Sequence, residues 1–178
     1  MGRISKTRRE VAGTECRCGA NIEARVLFLK YAFPCAGVTL ARGAISKKEY
    51  DALENSARTS IPVEWKTLER IFVPAWRRIR EVAQKINHDP RDANTIRRYY
   101  IEFHNEYIKN NDGSYAHAPE ALKKLCRVEK AKIVSVKDDF FVAAIGRTRR
   151  PVSRMLCKNA RVGDIVSAHY GYAVEKLY

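Results

Sequence analysis

The stretch from residue 160 to residue 178, ARVGDIVSAHYGYAVEKLY, decides how the C-terminal part of this 178-residue chain is read. Val162-Gly163-Asp164 is a turn signal. The run DIVSAH that follows is short and rich in Val and Ile, and a second such run, YAVEKL, starts just after Gly171. Strand alternation puts Ile165, Ser167 and His169 on one face of the first run and Val166 and Ala168 on the other. A titratable ring therefore closes a strand, and Gly171 leaves space beside it. That placement suits contact with a ligand, and it equally suits a partly buried histidine whose nitrogens are satisfied.

The same texture reaches back to residue 126. AKIVSV, FFVAAIG and PVSRML are further short runs, separated by Lys137-Asp138-Asp139, Gly146 and Asn159. Five strands at this spacing predict a small OB-like β-barrel. The residues before it read as helical. ANIEARVLFLKYAF (20–33) carries Ile22, Val26, Leu29 and Phe33 at helical spacing, and Pro34 stops it. Ser46 and Glu49 form a capping box for a helix running to about Ala57, with Ile45 and Tyr50 at the staple positions. Ser60-Ile61-Pro62 opens a third helix, expected to kink or break at Pro74. Asp89 and Pro90 restart a helix whose buried face is Ile96, Tyr100, Phe103 and Tyr107, ending at Asn110–Gly113. A short helix at about 119–125 follows. The expected fold class is α+β: a helical region over 1–120 and a five-stranded barrel domain over 121–178. A barrel of this size is marginal alone, so the helices are expected to pack on it.

Composition narrows the function classes. The apolar content of 46% and seventeen aromatic residues are enough for a globular core. No run of about 18 apolar residues stands out, so no membrane span is predicted. The basic start MGRISKTRRE lacks the apolar segment of a secretory signal, and the expected location is the cytoplasm. The net charge of +14 predicts attraction to acidic partners, protein or nucleic acid. There is no Walker loop, dinucleotide fingerprint, HExxH or nucleophile elbow, so an enzyme is not expected.

The candidate chemistry is thiol and imidazole. The five cysteines are read as free thiols. Cys16 and Cys18 form CRCG, but Cys35 and Cys157 stand alone, so the second ligand pair of a zinc site is missing. Cys126 opens the first barrel strand and His169 closes the fourth. Such a pair suits iron, copper or zinc, or a nucleophile with its base. The sequence marks no group that would orient the imidazole. His104 is read as structural.

With these residues in view, LCRVEKAKIVSVKDD (125–139) and VGDIVSAHYGYAVEKLY (162–178) resemble the HypC/HupF family, small chaperones of [NiFe]-hydrogenase assembly. Members begin Met-Cys, continue into a strand of the type KVVEI, and close with a segment of the type VGDYVLVHAGFAIEKI. Leu125-Cys126 falls where Met-Cys would be, Lys132–Val136 on the first strand, and His169 and Gly171-Tyr172-Ala173 on the family histidine and the Gly-Phe-Ala after it. Arg149–Ser153 is similar to the central basic and Val-Ser segment. The resemblance covers about 53 residues, counting from the Cys126 position. It implies an iron atom carrying cyanide and carbon monoxide, with Cys126 as ligand and His169 beside it. The implied partners are a maturation scaffold and the hydrogenase large subunit. Three departures accompany it. Cys126 is internal and offers no terminal amine, so a substitute ligand is demanded. Lys130 stands where the family has proline, and the family's C-terminal helix is absent, which the N-terminal helices may replace.

Two further functions remain open at this point. Arg147, Arg149 and Arg150, with Phe140, Phe141, Tyr170 and Tyr172, are the ingredients of a barrel that binds single-stranded nucleic acid. The chain could also be a structural subunit of a larger complex whose barrel holds no metal.

Overall fold

The structure, a computed structural model, describes the backbone of residues 7–177 and the side chains of residues 19–177. The first helix, α1 (Thr7–Ala32), ends where Pro34 falls. A 3-10 turn, Phe33–Cys35, carries the chain into α2 (Ala36–Ala41). Proline has no N–H to continue the ladder, so the break sits where the sequence predicts it. Helix α3 (Lys47–Thr59) starts at the expected capping box: Ser46 Oγ accepts from the Glu49 N–H at 3.2 Å, and Glu49 Oε2 accepts from the Ser46 N–H at 2.8 Å.

Two predicted helix starts move. Ser60 is the left-handed C-cap of α3, with φ 58°, and α4 (Trp65–Ile71) begins only after Glu64. The break at Pro74 does occur, at Phe72, and α5 (Val73–Ile86) takes the proline into its first turn, where the missing N–H costs nothing. Asp89 does not cap the following helix; its carboxylate accepts from the Arg91 N–H in a local turn. Asp92 is the cap, accepting from the Asn94 N–H, and α6 (Ala93–Arg98) starts there. A π-helical turn, Tyr99–Phe103, joins α6 to α7 (His104–Lys109). The extra residue in that turn changes which side chains face inward. Ile96, Tyr99, Tyr100, His104 and Ile108 are buried, while Phe103 and Tyr107 are only partly covered. The last helix is α8 (Glu120–Cys126).

Five strands follow: β1 (Val128–Val136), β2 (Phe140–Ile145), β3 (Thr148–Ser153), β4 (Ile165–His169) and β5 (Tyr172–Leu177). They close into a barrel in the order β1-β2-β3-β5-β4, with β4 returning to β1 through Val128↔His169. Only β3 starts earlier than the run PVSRML suggests. Gly146 and Arg147 form a two-residue turn that pairs Ile145 with Thr148, so the basic segment after it is strand. The fold class is therefore α+β, as expected.

The barrel interior holds Ala131, Ile133, Phe141, Ala143, Val166 and Ala168. The helices build a second core around Phe28, which meets Trp65, Phe72 and Trp76 edge-on with ring centroids 5.8–6.1 Å apart. Burying a side chain of that kind is worth about 1.5–3 kcal/mol. This second core also takes in Val128, Leu156 and Val174 from the barrel. The helical layer thus covers one flank of the barrel, and Ser167 and His169, on the outward face of β4, are as buried as the residues inside. The segment Gly19–Ala41 is long and apolar enough, by length and composition alone, to cross a membrane, which no unbroken apolar run had suggested. Half of it is buried inside this fold.

Candidate metal centre

Three separate elements bring three ligand atoms together. Cys35 comes from the 3-10 turn after α1, Cys126 from the last residue of α8 and His169 from the end of β4. Cys35 Sγ lies 3.7 Å from Cys126 Sγ and 3.8 Å from His169 Nε2, and Cys126 Sγ lies 3.7 Å from the same nitrogen. The expected Cys126–His169 pair is thus in place. Cys35, which stands alone in the sequence, joins it across 91 residues of chain. Among the described residues this is the group of His, Cys, Asp and Glu side chains that could hold a metal ion.

The triangle fits a metal by size. For edges of 3.7–3.8 Å, a point equidistant from the three atoms in their plane is about 2.2 Å from each (edge divided by √3), against typical zinc–ligand distances of about 2.0–2.3 Å. An ion slightly off the plane would satisfy all three donors and keep a fourth position open, the pattern of sites that bind an exogenous ligand. Two thiols and an imidazole also suit iron and copper.

The surroundings orient the imidazole. His169 Nδ1 lies 2.8 Å from the carbonyl oxygen of Tyr31. A carbonyl only accepts, so Nδ1 carries the hydrogen, and the lone pair of a neutral ring sits on Nε2, facing the sulfurs. The Tyr31 carbonyl belongs to the last turn of α1, where helix carbonyls lack partners within the helix. The sequence marks no orienting group because this one is backbone. A ligating histidine tied through its other nitrogen in this way is the usual second layer of a metal site. His169 itself is fixed by a tight hairpin: it pairs with Tyr172, and Tyr170 (φ 51°) and Gly171 (φ 83°) make the turn. Two left-handed residues define a type I′ connection, for which glycine is the natural second residue and tyrosine an uncommon first one. The Tyr170 N–H donates to the Leu125 carbonyl at 3.0 Å, tying the turn to the residue before Cys126.

The electrostatics favour one thiolate. The Cys126 thiol is pulled far down by its hydrogen bond with Cys35, against the cost of burial and with help from His104 and His169. Cys35 is pushed up by the same hydrogen bond and by burial. The two sulfurs share a proton, with the charge on Cys126. Tyr115 is the bridge outward: its hydroxyl lies 3.3 Å from Cys126 Sγ and 3.3 Å from His104 Nε2. His104 is fully buried, its ring is 5.1 Å from that of His169, and burial lowers its proton affinity. A residue read as structural is thus part of the site's wall.

The other candidates lie elsewhere or serve packing. Arg147 and Arg149 are exposed, and Arg150 is paired with Glu129 at 2.6 Å. Phe141 is barrel core, and Tyr172 rests edge-on against Phe33 at 6.1 Å. Tyr170 lines the cavity beside the three ligand atoms. Cys157 is buried as a small apolar group. The Cys16 and Cys18 side chains lie outside the described residues.

Among family models, curated proteins and solved structures, none matches the chain.

Proposed function

We propose that this chain is a metal-carrying accessory protein, that the metal is iron, and that it acts in [NiFe]-hydrogenase assembly in the manner of the HypC/HupF chaperones. The observation that carries the reading is the convergence of Cys126 and His169, the two positions the family resemblance selects, on a third thiol. In the family a terminal amine sits beside the cysteine sulfur. An internal Cys126 has none, and Cys35 offers a donor 3.7 Å away in its place. The strand order β1-β2-β3-β5-β4 supports reading the barrel as OB-like. The helices lie over its flank, where they stand in for the C-terminal helix that the chain lacks. The partner in this reading is the immature large subunit or a maturation scaffold. The chain would act by holding and presenting the iron group rather than by catalysing a reaction.

Anaerobic purification tests it. The wild type should retain about one iron per chain with infrared bands of cyanide and carbon monoxide, an expectation that follows from a single site of three donors. Cys126→Ser and Cys35→Ser should each lose the iron while keeping the wild-type circular dichroism spectrum. Wild-type protein that stays free of iron in iron-replete cells defeats the proposal.

A second reading rests on the exposed Arg147 and Arg149 beside a net charge of +14: nucleic-acid binding through phosphate contacts. It requires affinity for single strands that falls steeply with salt.

A further inference from the structure

We propose that the open side of the Cys35–Cys126–His169 triangle is a receptor for a small monoanion, which binds the metal from the adjoining cavity and is held there by the hydroxyls of Tyr99 and Tyr100. The inference rests on the metal reading above and goes beyond it, because it assigns a ligand class to the space on the far side of the ion.

The cavity encloses about 130 Å³ and is walled in part by the three ligand residues themselves. That is room for a molecule of two to four heavy atoms, given that water occupies about 30 Å³ in the liquid. Larger ligands are shut out by apolar walls such as Ile71, Phe72 and Leu122. Its lining includes the guanidinium-bearing residues Arg42 and Arg78, and no carboxylate among the described residues. Arg78 is 3% exposed, so its charge is poorly screened by water. The sign of the lining therefore favours an anion.

Two polar groups give the site its construction. Tyr99 and Tyr100, both lining residues, are at most 2% exposed, and their hydroxyl oxygens are buried without a hydrogen-bond partner. Buried hydroxyls are normally paired, and two neighbouring exceptions beside a metal-ligand triangle call for an acceptor that the protein does not itself provide. A phenol O–H can donate to an anion. Burial holds both phenols well above their ordinary proton affinity, so they stay protonated donors at neutral pH. The π-helical turn Tyr99–Phe103 is the backbone feature that turns two consecutive tyrosines into the protein interior. Such turns are frequent at functional sites. The charge balance agrees: two thiolates neutralise a divalent ion, and a bound monoanion then faces the positive lining.

Azide and cobalt(II) are the probes. Metal-free full-length protein is loaded with cobalt under anaerobic conditions, and the sulfur-to-cobalt charge-transfer band reports occupancy of the cysteine site. Azide should then shift the cobalt d–d bands in a saturable titration. Tyr99→Phe and Tyr100→Phe should each weaken azide by about tenfold or more, the loss expected for a hydrogen bond to a charged group, and leave the charge-transfer band unchanged. A cobalt-loaded protein whose spectrum ignores azide, or azide affinities unaltered in both variants, overturns this inference and leaves the metal reading standing. Absence of the charge-transfer band in wild-type protein overturns the metal reading and this inference with it.

Discussion

Removing one oxygen, in Tyr31→Phe, should unlatch the helical layer from the barrel. The Tyr31 hydroxyl lies 3.0 Å from Ser167 Oγ and donates to Glu175 Oε1 at 2.7 Å, joining α1 to β4 and β5 in a buried setting. The ring itself stacks on Tyr100 at 4.5 Å, and phenylalanine would keep that contact. Glu175 would retain Arg97, whose Nε lies 3.0 and 3.1 Å from its two oxygens, and Ser167 Oγ would still accept from the Glu175 N–H at 3.3 Å. The loss is therefore one hydrogen bond to a charged acceptor, worth about 1.5–3 kcal/mol, and not the stranding of a bare carboxylate. In a chain of this length that corresponds to a fall in Tm of about 3–12 °C. Because the Tyr31 carbonyl also orients His169, a loosened α1 should weaken metal retention together with stability. Differential scanning calorimetry of both proteins at neutral pH is the assay. A Tm within 1 °C of wild type would mean that this contact does not hold the two layers together.

Three other outcomes follow from the same structure. Asp112→Asn leaves the nearly buried Arg78 without the carboxylate that its Nε contacts at 2.7 Å, which should cost about 3 kcal/mol in urea unfolding. The same pair makes stability depend on acid. Burial alone would raise the Asp112 carboxyl, but the hydrogen bond and charge of Arg78, with Arg77, outweigh it and hold the carboxyl below its usual value. A depressed carboxyl gives its full stabilisation above the ordinary carboxylate pKa of about 4 and loses it as pH falls through the folded value, so wild type should lose more stability than Asp112→Asn on going below about pH 4. Equal acid sensitivity in the two proteins would contradict it. Gly171→Val forces a β-branched side chain to φ 83° in the hairpin that places His169, and should cost about 1–2 kcal/mol in chemical denaturation and reduce bound metal. An unchanged midpoint with full metal content would show that the turn does not set the imidazole.

How much of this was legible in the sequence depended on how local each signal was. The Ser46–Glu49 box, the stop at Pro34 and the turn at Val162–Asp164 are short-range chemistry, and they fall where they were read. Asp89 and Asp92 compete for one helix start. Pro90 makes the first look right, yet the backbone uses it for a turn and caps with the second. The inward face of the Ala93–Lys109 segment was misjudged because a π-helical turn breaks the 3.6-residue period between Tyr99 and Phe103. At the site, Cys126 and His169 stood out at opposite ends of one barrel. Cys35 did not, since its partners are 91 and 134 residues away and no spacing rule links them. Tyr115 and His104 were missed for the same reason. The orienting group for the imidazole is a main-chain carbonyl, which no side-chain pattern can announce.

The central claim is that two sulfurs from different elements and one imidazole share a metal. X-ray absorption at the iron edge of anaerobically purified protein tests it most directly. The account predicts two sulfur scatterers and one imidazole nitrogen in the first shell of wild type, and one sulfur fewer in any iron retained by Cys35→Ser. A first shell without sulfur, or a sulfur count that ignores the loss of Cys35, would contradict it.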